Sequence, residues 1–560
     1  MHHGSSPRAV GKAESVMCRW DLVYTLRLHI SQGPYFDTSV QAARSLAAEI
    51  GDAIRYNGNR GDVLKTHREA VNLELCTSAA DLLAPSLQQF RGCHIIDANP
   101  GAGLWSSTIN NLLRPKRHVL VESDARFDPF LDRLIQSDPS YTRVRYCGGD
   151  SQSLARVIDE GLVPRPQPSQ DPSKPTTSLL ILFNMTRARF GRTRANSRLA
   201  AREAMIDLCR NAWLRTGVQK YGPVRVLAWV EEAVKDATVP RSVSGNLSSI
   251  ASQRYATHVH VVAEDGRTAR DDWGDRMEWE STWDVLKRME AAGIQIPENR
   301  QNPLQKTLLR LGEDWPRTFE HIMSVNPVNF APLKLPAVIN NKIRLRRKYA
   351  PLVRESDEVM RLERLAVDDN QPERLRLAAR EDYEKRHAEF QRAVSSLPRA
   401  AQNTVWQDLD RQTTKKRDPP GLPWDRRPFE PVDCTKKDFF SHNGDVCLSL
   451  LDICPRGSAQ QHGELDLQYW DRLVNKLMGR PTETVATRFN RISPGAAEHI
   501  IPKLSALHDP LRYGSLHPEH FRIRLMTIEM LEEVVQVWKS WPSRPRHIDA
   551  QLLAVDLERD

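Results

Sequence analysis

Cys93-His94-Ile95-Ile96-Asp97-Ala98-Asn99-Pro100-Gly101-Ala102-Gly103 reads as a short buried strand, an acid and a glycine turn, and Leu104-Trp105-Ser106-Ser107-Thr108-Ile109 continues it as a helix. Glycines at 101 and 103 let the backbone bend sharply and come close to a ligand. A dinucleotide site would want a third glycine, so that the pyrophosphate can rest on the helix N-terminus. Here that position is Ser106, and the carboxylate of Asp97 stands before the turn. A carboxylate there repels a pyrophosphate and attracts a cation. S-adenosylmethionine, with an ammonium, a sulfonium and no phosphate, fits that charge pattern. The plain alternative is an ordinary strand–turn–helix corner.

Outward from this turn the pattern repeats. His118-Val119-Leu120-Val121-Glu122 is a second apolar strand ending in an acid, and an acid at that place can bind both hydroxyls of a ribose. Val144-Arg145-Tyr146-Cys147-Gly148-Gly149-Asp150 is a weaker third strand, whose acid can accept from the amine of an adenine. Leu179-Leu180-Ile181-Leu182-Phe183-Asn184 is a strongly apolar fourth. Strands that each end in a polar group fit a parallel sheet, where ligands bind beyond the carboxyl ends.

Three segments carry a family resemblance: Asn72-Leu73-Glu74-Leu75-Cys76, Ile96 to Trp105, and Val121-Glu122-Ser123-Asp124. Together they resemble the ribosomal RNA adenine N6-dimethyltransferase family, and within it the fungal mitochondrial transcription factor branch. Pro423-Trp424-Asp425-Arg426-Arg427-Pro428-Phe429-Glu430-Pro431 is also similar to a segment of that branch. The likeness spans roughly residues 65–270 and is thin elsewhere. It implies a Rossmann-like S-adenosylmethionine-dependent methyltransferase domain. Leu75, Asp97, Asn99, Gly101, Gly103, Glu122 and Asp150 would be its cofactor-binding residues, with Leu75 near the adenine ring. Asn184 stands where the family's catalytic Asn holds the target amine. Active members follow that Asn with Leu, Pro and an aromatic that stacks on the flipped base. This chain has Asn184-Met185-Thr186-Arg187, without the proline and the aromatic, which argues against methyl transfer.

The remaining chain sets the context. Its 560 residues allow three or four domains, and 40 % apolar residues are enough for real cores. Lys plus Arg number 80 against 71 acids, a net charge of +9 that suits nucleic acid without requiring it. The eight cysteines form no C-x-x-C pair, so a zinc ribbon and a dense disulfide framework are not expected. Buried reduced thiols are the better reading. No apolar run approaches the roughly 20 residues of a membrane span. Residues 1–30 are basic but carry Glu14 and Asp21, a poor fit to an acid-free transit peptide. The mitochondrial matrix is therefore implied by the resemblance and not by the leader.

Five prolines between 164 and 175 mark a loop insertion before the fourth strand. After that strand, Arg187, Arg189, Arg192, Arg194 and Arg198 interleave with Phe190. This run is either a solvated loop or a set of phosphate contacts beside the site's mouth. His258 and His260 share one face of a strand, but no third ligand is apparent, so no metal is expected. Pro85 should interrupt the helix begun at Leu73, and 415–423 reads as a linker. Trp273, Trp279 and Trp283 either plug an irregular core or offer a partner surface.

The expected organisation is an N-terminal segment over 1–64, a methyltransferase-like α/β domain over 65–280, a charged helical domain over 281–418 and a mixed C-terminal extension over 424–560. Two functions compete. One is a nucleic-acid-binding transcription factor that helps a mitochondrial RNA polymerase recognise and melt promoters, trapping a strand in the old base-binding cleft. The other is an active rRNA (adenine-N6)-dimethyltransferase. A structural ribosome-assembly factor is a third, plainer reading.

Overall fold

The computed structural model describes residues 45–54, 67–146, 151–187 except 168, 170, 172 and 173, 194–243, 245–266, 275–324, 337–441, 446–458 and 462–545; at 187, 194–200, 322–324 and 337–347 it describes the backbone alone. A strand of three residues, β1 (Arg68–Ala70), precedes the α/β body. Three of the apolar runs singled out in the sequence become β2 (His94–Ala98), β3 (Arg117–Val121) and β5 (Thr176–Asn184), whereas the third strand, β4 (Tyr141–Val144), lies ahead of the expected Val144–Asp150 stretch and shares only Val144 with it. They are followed by β6 (Val224–Glu231), β7 (Ala256–Glu264), β8 (Val432–Asp433), β9 (Phe439–Ser441) and β10 (Leu448–Pro455).

Eight of these strands form one sheet in the order β4-β3-β2-β5-β6-β10-β7-β8. From β4 through β6 the pairing is parallel, while β10 runs antiparallel to both its neighbours. The order reverses between β2 and β5, which is where a doubly wound sheet opens a crevice beyond its carboxyl ends. This is an α/β architecture with a mainly parallel mixed sheet, compatible with a Rossmann-like fold.

Burial on both faces explains the near-continuous apolar strands. Ile95, Leu180, Leu182, Leu227 and Leu450 face the helices Leu73–Leu87 and Leu104–Leu113. Ile96, Val119, Ile181, Val226 and Ile453 face the opposite layer, which includes Leu154, Leu208 and Tyr255. Helix Leu73–Leu87 runs straight through Pro85, contrary to the expected interruption. The ring removes one hydrogen bond near the helix end, where few bonds remain to be lost. Trp279 is fully buried against Trp315 and Phe319, so it plugs the core.

The sheet draws on distant parts of the chain. Its β8 and β10 come from the 424–560 segment and pair with strands of the 65–280 segment. Between them, helices Ala337–Val367, Glu373–Ser395 and Arg399–Lys415 gather around their own core of Leu362, Tyr383, Val394, Val405 and Leu409. A third core, with Leu473, Phe489, Ile500, Met530 and Trp538, closes the C-terminal part. The stretch after Lys415 does not hang loose. Leu422, Trp424, Asp425 and Arg427 are all buried, and the indole of Trp424 donates to both oxygens of Glu278 at 3.0 and 3.1 Å.

Cys76, Cys93, Cys209, Cys434, Cys447 and Cys454 are buried and join in no disulfide among the described residues. Burial pushes the thiols of Cys93 and Cys209 up to about 12, so they are inert packing groups. Among the described residues no helix is long and apolar enough to cross a membrane.

Candidate functional site

The glycine turn forms at the switch point between β2 and β5. Asn99, Gly101 and Gly103 all have positive φ, at 56°, 63° and 80°. Glycine meets that demand at little steric cost at 101 and 103, and Asn is among the few other residues that tolerate it. Gly103 caps helix Leu104–Leu113 without any side-chain bond. The turn therefore presents backbone N–H groups, a natural cradle for an anion.

The chain fills that cradle itself. The N–H of Ala102 donates to Oε2 of Glu69 at 2.8 Å. A Cβ added at Gly101 would lie 2.5 Å from the same oxygen. The other oxygen of Glu69 meets Nε2 of His67 at 2.7 Å, and both residues are buried. The missing side chain at 101 thus makes room for a carboxylate from β1.

The segment after β5 is closed by the same strand. The amide of Asn184 donates to the carbonyl of Arg68 at 2.8 Å. Its Oδ1 accepts from the N–H of Thr186 at 3.2 Å and from the hydroxyl at 2.7 Å. The carbonyl of Asn184 accepts from Nδ2 of Asn99 at 3.2 Å. A target amine would need both the Asn side chain and that carbonyl, and both are engaged within the chain. Arg68 forms a close ion pair with Glu231 at the end of β6.

What holds β1 in front of the site is the C-terminal segment. β1 pairs antiparallel with β9, Glu69 opposite Phe440. Asp438 accepts from Asn72 at 2.7 Å and from both Nη atoms of Arg300 at 3.1 and 3.2 Å.

The remaining candidates are placed as follows. Asp97 is buried, with its Oδ2 3.3 Å from Nε2 of His118. Nδ1 of His118 receives the amide of Asn110 at 3.2 Å, so Nε2 carries the proton and donates to Asp97. Asp97 is thus tied to the neighbouring strand and does not stand open beyond its own. Glu122 is fully buried at the end of β3 and accepts from the N–H of Asp124 at 2.9 Å. Leu75 lies fully buried in the first turn of its helix, in the core shared with Trp105. Arg187 ends the short 3-10 turn Met185–Arg187, and Arg194 begins helix Arg194–Leu214. Asp150, Arg189 and Arg192 lie outside the described residues.

The structure brings together Asp97, Asn99, Gly101, Gly103, Glu122 and Asn184 at the carboxyl ends of β2, β3 and β5. It adds Arg68, Glu69 and Glu231, which the sequence did not single out. A strand of three residues is too short to carry a periodic signal, so nothing in the sequence pointed to Arg68 and Glu69. A cavity of about 130 Å³ lies elsewhere, between the helices of 337–415 and the segment 510–525. The chain matches no family model and no curated protein.

Proposed function

We propose that this chain is a non-catalytic, nucleic-acid-binding member of the ribosomal RNA adenine dimethyltransferase family, a mitochondrial transcription factor. In this reading a methyltransferase-like unit is followed by a helical domain and a mixed C-terminal extension. It works in the mitochondrial matrix, assisting the mitochondrial RNA polymerase in promoter recognition and melting. S-adenosylmethionine binding is vestigial.

The observation that carries the reading is the closure by β1. Glu69 occupies the glycine cradle and Arg68 engages Asn184, so neither cofactor nor amine has its usual partners available. The loss of the proline and aromatic after Asn184 points the same way. The net charge of +9 and the arginines at 187–198 favour a phosphate backbone as ligand.

The test is twofold. Promoter-dependent transcription with a cognate polymerase should require the protein, while a small-subunit rRNA hairpin should gain no methyl groups. Each arginine that neutralises a phosphate on a single strand contributes about −0.7 to the slope of log affinity against log salt. Changing Arg187 and Arg194 together to Ala should make that slope shallower by about 1.4. Calorimetry should show weak S-adenosylmethionine binding that tightens in Glu69→Ala by roughly tenfold or more, the worth of a charge-assisted hydrogen bond. Dimethylation of adenine by the wild-type protein would replace this reading with the enzyme.

A further inference from the structure

At the amino end of β6, away from the glycine turn, the sheet assembles a polar cluster from three strands. β7 places His258 and His260 on one face, their rings stacked at 4.3 Å and 11°. β10 runs alongside, with Asp452 opposite His260 in register. One donor atom from each of the three residues lies within 4.8 Å of the others. The sequence offered two histidines without a third ligand; the fold supplies it from almost 200 residues downstream.

We propose that His258, His260 and Asp452 bind a divalent first-row transition ion of the zinc type, which staples β10 to β7. Two imidazoles and one carboxylate are the donors such an ion takes, whereas calcium and magnesium want oxygen throughout. Metal–donor bonds of about 2.0–2.2 Å require donors roughly 3.3 Å apart. Nε2 of His258 is already 3.4 Å from Oδ2 of Asp452. That nitrogen is buried and makes no hydrogen bond, so a coordinate bond would satisfy it.

The carboxylate is aimed by an outer partner. Nε and Nη2 of Arg225 each donate to Asp452 at 2.7 Å, and Arg225 is itself held by the carbonyl and hydroxyl of Ser86 at 3.0 and 2.7 Å. Each carboxylate oxygen keeps a second lone pair for the ion. Ligating carboxylates are commonly fixed in this way. The guanidinium charge opposes a cation, which sets the affinity below that of a site with a neutral outer shell. Three protein ligands leave at least one position for water, and His258, half-exposed, gives the ion its way in.

The experiment is zinc calorimetry and cobalt(II) absorption on the full chain stripped of metal, with thermal unfolding in parallel. One equivalent should bind and raise the melting temperature. His258→Gln, at a half-exposed position, should keep the fold by circular dichroism and weaken binding at least tenfold. The same change at His387, whose ring stacks on His517 at 4.6 Å away from the sheet, should leave binding intact. No zinc heat in the wild type, or a folded His258→Gln protein that binds zinc as the wild type does, overturns the site.

Discussion

The two halves of the sheet are built differently. From β4 to β5 the strands come from one contiguous stretch, 117–184 with β2 just before it, and their facing residues are apolar, with polar groups gathered at the strand ends. From β6 to β8 the sheet alternates strands from 224–264 with strands from 432–455, and it is laced with buried charge. Arg225 pairs with Asp452 inside the sheet. Lys235 and Arg241 both hold Glu264, at 2.9 and 2.5 Å. Behind the sheet, Arg411 grips Asp425 and Arg427 grips Glu430.

The difference teaches what each kind of strand needs. A strand following its partner through a short crossover has few alternatives, and apolar burial suffices. A strand arriving from far downstream could slip by one residue, which would turn every side chain to the other face. In β10 such a slip would drive Asp452 into the apolar layer around Leu451 and Ile453. The pair with Arg225 makes that register the only one in which neither charge is stranded.

The largest effect should come from ending the chain at residue 423. That removes β8, β9 and β10, leaving β6 paired on one side only, β7 unpaired and β1 without its partner. We expect loss of cooperative thermal unfolding by circular dichroism. A sharp melt with native helix content would show that the first half folds alone and would break the comparison.

Next in size is Asp452→Ala. Removing one member of a buried pair leaves the other charge unsatisfied and costs about 3–5 kcal/mol. Adding Arg225→Met should restore most of that stability, because a neutral apolar pair carries no desolvation penalty. Urea denaturation of the single and double variants checks both. A double variant as unstable as the single would mean that the pair is not what holds the register.

The smallest effect is on acid sensitivity. Burial pushes the carboxyl of Glu264 up, but Arg241 and Lys235 outweigh it and hold it below the ordinary range. Asp425 behaves alike, burial being overcome by Arg411. A depressed carboxyl contributes stability that is fully present above its unfolded value, near 4, and lost as pH falls toward the folded one. Amide exchange at pH 3 should therefore lose protection in β7 before β2 and β5. Equal loss in both halves would remove the electrostatic distinction.

Much of the first half was legible because its signals are local. The apolar runs at 93–97, 118–122 and 179–184 are too short for helices and end in polar groups. The turn at 99–103 announces itself by residues that tolerate positive φ. The second half was not legible. Val446 to Leu451 stands out as apolar, yet nothing local says that it enters between β6 and β7. Glu69 was equally silent, because a carboxylate that ends up in a glycine cradle looks like any surface acid until β9 brings its strand there.

The sequence by itself determined that the runs at 93–97, 118–122 and 179–184 form strands of a parallel sheet with a tight glycine turn at the first strand's end, since side-chain size, β-branching and the φ demands of the turn act within a few residues. Tertiary structure alone decided that this turn holds Glu69, that Asn184 is bound to Arg68, and that Asp452 joins His258 and His260. Those contacts join residues that the chain keeps far apart. Their energies depend on burial and on which charge meets which, and neither exists until the distant strands are paired.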